Sequence, residues 1–152
     1  MAHSSPGVPR TRRRRPLRDR GRVERIPYSK RLAGTLDWLT PERGRRLEVE
    51  LPAGARIESD VTLSSDGRFR EQGTIVLEPG VELRFRTLGV GNLVASPDPD
   101  LRHGSVIWEL DGGTGRFARA SGRISSTFTL DANGRVDDDQ HGLIFIDKEG
   151  TT

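Results

Sequence analysis

From Leu47 onward, polar and apolar residues alternate with period two between short turns, and no stretch has convincing helical spacing. LEVEL and ARIESDVTL alternate in this way, with Pro52 and Gly54 between them as a turn. SSDG (Ser64 to Gly67) reads as a hairpin turn, because Asp-Gly tolerates positive φ at low cost. RFREQGTIVL, the turn EPG and the long run VELRFRTLGVGNLV follow, then SVIWEL, GRISSTFTL and HGLIFID, divided by SPDPDLRHG, DGGTG and DANG. About seven strands joined by short turns predict an all-β chain built as an antiparallel sheet, sandwich or closed barrel. Gly89 and Gly91 inside one long strand mark a bend or bulge, the device that lets a sheet coil on itself.

The segment before Leu47 is different. Residues 1–25 hold nine arginines against two acids, so the net charge of +3 divides into +7 for this tail and −4 for the rest. A block of like charge broken by Pro6, Pro9 and Pro16 buries too little apolar surface to offset ordering entropy, and is expected to be a disordered basic N-terminal tail. It could bind nucleic acid or an anionic surface by neutralising phosphates, but no aromatic residue interleaves its arginines and the remainder is acidic, so nucleic acid is not the expected partner. No apolar h-region follows TRRRRPLRDRGR and no apolar run is long enough to span a bilayer, which gives a cytoplasmic location and no membrane span as expectations. The chain has no cysteine, which removes disulfide frameworks and thiolate zinc sites. Residues 26–46 form a lead-in of undefined structure: Leu32, Leu36 and Leu39 would share a helical face, Gly34 and Thr35 interrupt it, and a strand at Leu36 to Leu39 fits as well. The organisation expected is thus a tail (1–25), a lead-in (26–46) and one β domain (47–152).

GGTGRFARASG (Gly112 to Gly122) follows the strand VIWEL and invites comparison with a phosphate-cradling loop. Such a loop needs a helix after it, with the loop amides at its N-terminus. RISSTFTL, rich in β-branched and hydroxyl residues, continues as a strand instead, and there is no GK[ST] ending. The stretch is therefore architectural. Gly112 and Gly113 close a turn after Asp111, Gly115 supplies positive φ, Phe117 plugs the core, and Ala118, Ala120 and Gly122 allow a close crossing.

A strand, then GG-[TS]-G-x-F-x-x-A-x-G, then an alternating strand resembles the allene oxide cyclase-like barrel family and its bacterial relatives. Val106 to Leu130 carries most of the likeness; HGLIFID is similar to the closing strand, and SPDPDLRHG to a loop before the motif, so the resemblance spans about Leu47 to Asp147. It implies an antiparallel eight-stranded calycin-like β-barrel. It also implies a cofactor-independent cyclase or isomerase acting on an apolar metabolite, since the plant members cyclise an unstable epoxide in an apolar cavity and bacterial relatives close rings in secondary metabolism. The plant members are trimers, which makes a homo-oligomer a further expectation of the resemblance. Their catalytic glutamate and asparagine on an early strand have no counterpart in VERIPYSKRLAG, so no catalytic residue is carried over. A non-catalytic barrel that binds a ligand or a protein is the alternative.

An eight-stranded barrel has room for filler side chains or one small ligand, so polar residues on its inner face are the informative ones. In VELRFRT the apolar face Val81, Leu83 and Phe85 is expected inside, and Glu82, Arg84 and Arg86 outside. Trp108 is a wall residue able to stack on a ligand, with Glu109 facing away, and Phe128 and Phe145 are further wall candidates. Glu71 and Asn92 lie in central strands; a buried Glu71 would have a raised pKa and could shuttle a proton. His103 and His141, each beside a glycine at a strand entrance, are acid–base candidates near a barrel mouth, although a loop histidine is ordinarily a surface residue. The two histidines with Asp137, Asp138 or Asp139 could gather three metal ligands, but DDDQ after Asn133-Gly134 reads more simply as a solvated loop, so no metal is expected.

Overall fold

The computed structural model describes residues 22–37, 45–50 and 56–148. Nine strands follow one another: β1 (Val23–Asp37), β2 (Arg45–Glu50), β3 (Arg56–Leu63), β4 (Arg68–Glu78), β5 (Val81–Thr87), β6 (Gly91–Ala95), β7 (Leu101–Gly113), β8 (Ala120–Asp131) and β9 (Arg135–Asp147). All belong to one antiparallel sheet, and a single 3-10 turn at Gly115–Phe117 is the only helical piece among the described residues. The expected turns form where Gly67, Gly80 and Gly134 take φ of 87°, 80° and 85°. No described helix is long and apolar enough to cross a membrane.

The strands pair in the order β3, β2, β1, β9, β8, β7, β5, β4, β6, with additional pairings of β3 with β4 and of β6 with β7. β5 and β6 occupy the same place between β4 and β7, one beyond the other. They are the two halves of VELRFRTLGVGNLV, parted where Gly89 has a φ of 70°, as its glycines suggested.

Three sequence expectations change. Residues 26–37 of the lead-in belong to the long strand β1, which pairs with β9 from Val23↔Asp147 to Thr35↔Arg135 and whose start takes in residues 23–25 of the expected tail; residues 38–44 lie outside the described residues. Leu32 and Leu36 are buried on it, and their four-residue spacing satisfies one strand face as well as one helical face. DDDQ is not a loop: it lies within β9, so Asp138 and Gln140 point one way and Asp137, Asp139 and His141 the other. His103 is likewise inside β7 rather than in the loop before it. The arginine-rich residues 1–21 lie outside the described residues.

Burial fixes the inner face strand by strand. Leu83 and Phe85 are buried while Arg84 and Arg86 are exposed, as the alternation of β5 predicts. Even-numbered residues of β7, β8 and β9 point inward. At one end the interior is filled: Ile57, Ile75 and Leu83 face one another across β3, β4 and β5, none more than 1% exposed. Phe117 packs there from the 3-10 turn beside Gly113, the register partner of Leu83. Each such side chain contributes about 1.5–3 kcal/mol of hydrophobic stabilisation. Gly112 and Gly113 extend β7 where its register with β5 shifts, and the turn itself begins at Thr114, one step later than the sequence suggests.

Candidate functional site

The other end of the interior is hollow. A cavity opens between Leu36, Val61, Leu63, Phe69, Leu93, Trp108, Phe128, Leu130 and Val136, with Glu71, Ser126 and Asp138 as its polar lining. Its volume is about 50 Å³. The cavity is a narrow apolar slot, matched to a slender or flat molecule, with two carboxyl groups in its wall.

Period-two geometry explains how these groups reach it. On β8, Ile124, Ser126, Phe128 and Leu130 share the inner face; on β9, Val136, Asp138 and Gln140 do. Phe128 stands opposite both Gly104 and Asp138, and Ser126 opposite Gln140. Glu71 is opposite Val61, and Ser59 lies two residues back on the same face of β3. Ser59, Glu71, Ser126, Asp138 and Gln140 are the buried polar side chains among the described residues, and all five belong to the two hydrogen-bonded clusters at this cavity.

In the first cluster Glu71 accepts from Ser59 Oγ at 2.7 Å and from Trp108 Nε1 at 3.3 Å. Trp108 is 1% exposed and stacks on Phe85, with ring centroids 3.9 Å apart and planes at 21°. Burial raises the Glu71 pKa, the two donors pull it back in part, and the charge of Asp138 raises it again, leaving it at about 7. In the second cluster Ser126 Oγ donates to Asp138 Oδ1 at 2.7 Å and Gln140 Nε2 donates to Oδ2 at 2.8 Å, while the Tyr28 hydroxyl donates to Gln140 Oε1 at 2.9 Å. Burial also raises the Asp138 pKa, against the two hydrogen bonds that lower it. Burial and the nearby Asp138 charge hold the Tyr28 phenol in its neutral, donating form.

Of the residues singled out from sequence, Glu71, Trp108 and Phe128 meet at this cavity. Asn92 is exposed on the opposite face of β6 from Leu93, and Phe145 is half-buried on the outer face of β9. His141 is exposed, its Nδ1 3.3 Å from Ser29 Oγ on the outer surface. His103 is exposed in an outer groove with Arg31, Asp137 and Asp139, which Phe128 and Asp138 of the cavity wall also line. Neither histidine lines the cavity. Gly112, Gly115 and Gly122 have φ of 72°, 54° and 127°, and Phe117 is buried, so this motif shapes the filled end rather than the cavity. Sequence reasoning weighed Asp138 only as a metal ligand and set it aside as part of a loop, and it missed Ser126, Gln140, Ser59 and Tyr28. The available signal was their phase: each lies two or four residues from a buried apolar residue of its own strand.

Comparisons of the chain with protein-family models, with curated proteins and with solved structures give no match.

Proposed function

We propose that the chain is a small-molecule barrel in which the cavity holds a largely apolar metabolite and Glu71 moves a proton on it, making the protein a cofactor-independent isomerase or cyclase. The observation that carries this reading is the Glu71 carboxyl, buried in an apolar slot and titrating at about 7, where acid and base forms are both populated near neutral pH. The pairing of β3 with β4 as well as β2 supports a closed barrel of eight places, with β5 and β6 as one broken strand. The resemblance of Val106 to Leu130 to allene oxide cyclase-like barrels points towards the same chemistry.

The step balances without a cofactor. The Glu71 carboxylate takes a proton from a C–H beside an unsaturated bond, the electron pair shifts along the π system, and the new carboxylic acid returns the proton at the far end. Substrate and product have the same composition and Glu71 is restored. Ring closure follows when the shifted electron pair meets an electrophilic carbon that the walls hold close. The Trp108 Nε1–H and the Ser59 hydroxyl steady the carboxylate in its base form, and the hydrocarbon lining keeps bulk water from taking the proton.

The test is incubation of an apolar metabolite extract from the native host with the protein in D2O, followed by mass spectrometry. One compound is expected to give way to an isomer of the same mass and different chromatographic retention, with little solvent deuterium because the shielded carboxyl returns the substrate's own proton, and Glu71→Gln is expected to abolish this. A metabolite that binds but is never altered would overturn the catalytic reading and leave a ligand-binding barrel.

A further inference from the structure

The Asp138 carboxyl is held at both of its oxygens, which accept hydrogen bonds from Ser126 Oγ and Gln140 Nε2, and the Tyr28 hydroxyl on Gln140 Oε1 turns the amide so that its NH2 group faces the carboxylate. These partners are neutral. Among the described residues no lysine, arginine or histidine lines the cavity; Arg31 and His103 stand in an outer groove that Asp138 and Phe128 also line, and there Arg31 is engaged by Asp139 at 2.8 Å. A buried charge is ordinarily paired, and among the described residues no cationic group of the cavity lining pairs with Asp138. No group of three or more metal-ligating side chains gathers among the described residues, so the setting suits an organic cation better than a divalent metal.

We infer that the missing partner comes from the ligand: the cavity takes a small apolar amine, its ammonium on Asp138 and its hydrocarbon among Phe69, Leu93, Trp108 and Phe128. This rests on the cavity reading above and narrows its substrate class. The faces of the aromatic rings favour a cation as well as hydrocarbon. A carboxylate or phosphate of the same shape would meet two acids and, among the described residues, no base, so this wall disfavours anionic metabolites. Asp138 then anchors the nitrogen while Glu71 remains the proton carrier.

Isothermal titration at pH 7 with 2-phenylethylamine, 2-phenylethanol and phenylacetate tests the inference, since the three share a phenyl body and differ in the polar end. The amine is expected to bind at least tenfold more tightly than the alcohol, and phenylacetate not measurably. Asp138→Asn is expected to bring amine and alcohol to equal affinity, with circular dichroism confirming its fold. Should Asp138→Asn not fold, the ratio of amine to alcohol on the wild-type chain decides alone. Asp139→Asn, which changes a carboxylate on the outer face, is expected to leave the preference intact; loss of the preference in that variant would assign the amine to the surface and overturn the inference. Equal binding of amine and alcohol to the wild-type chain would overturn the inference and leave the cavity reading standing. Binding of neither would overturn both.

Discussion

The ring of Phe128 lies over Gly104, its cross-strand partner on β7, and occupies the space where any other residue would place its Cβ. Phe69 covers Gly91 of β6 in the same way, and the two rings meet edge to face with centroids 5.8 Å apart. Both rings line the cavity, so two glycines set its width. Gly104→Ala is expected to push the Phe128 ring into the slot. It should cost about 1–3 kcal/mol in stability, the usual range for overpacking, and weaken ligand binding at least tenfold. Urea unfolding and titration calorimetry on the same preparation separate the two effects.

Glu71 gives the fold a pH dependence of definite sign. Its carboxyl ionises near 4.5 in an unfolded chain and at about 7 in the native one, so between these values the unfolded state sheds a proton that the native state keeps. Stability from this group is therefore complete below about pH 4.5, declines as pH rises to 7, and stays reduced above it. A separation of this size corresponds to roughly 3 kcal/mol. Glu71→Gln keeps one acceptor oxygen for Trp108 and turns the other position into an NH2 donor, to which the Ser59 hydroxyl can rotate as acceptor. It is expected to match the wild-type chain at pH 4.5 and to exceed it at pH 8, with Asp138 supplying the slope that remains. Urea unfolding at the two pH values reads the difference.

Trp108→Phe removes the indole N–H that serves Glu71 while keeping an aromatic ring against Phe85. Loss of a donor to the anionic form should move the Glu71 titration above 7 and cost about 2 kcal/mol at pH 8, with a smaller loss at pH 5. Carbon-detected NMR of the labelled glutamate carboxyl follows the titration directly.

The glycine-rich stretch separates two costs of substitution. Gly115 has positive φ but open space around its absent side chain, so Gly115→Ala should cost about 1 kcal/mol. Gly122 also has positive φ, and a Cβ there would strike the Leu143 carbonyl oxygen on β9, so backbone must move. Gly122→Ala is expected to cost more than 3 kcal/mol, or to prevent folding, in thermal melts of the two variants.

Much of the β architecture was legible because, from Leu47 onward, turn residues and alternation agree. β1 was not, since Leu32 and Leu36 stand at a spacing that helix and strand share, and its partner is the distant β9. The site was half legible for a related reason. Glu71 falls in phase with Phe69 and Ile75 on an unmistakable strand, so an inward carboxyl could be entertained. Asp138 and Gln140 fall in a run with acids on both faces, where alternation disappears, and only the phase from Val136 to Ile144 and Ile146 marks them as inward. The histidines misled because a titrating residue beside a glycine suggests a mouth, whereas odd-numbered positions of β7 and β9 point outward. His103→Ala and His141→Ala are accordingly expected to change neither ligand affinity nor stability by more than about 0.5 kcal/mol, as measured by the same calorimetric and unfolding titrations.

A small molecule in the slot between Phe69, Leu93, Trp108 and Phe128 is the central requirement of the proposed function. Native mass spectrometry of the chain purified from its own host, beside Gly104→Ala prepared in the same way, asks for it directly. The expected result is a one-to-one adduct on the wild-type chain, released on denaturation and absent from the variant. A bare wild-type chain, or the same adduct on both proteins, would contradict the cavity as the functional site.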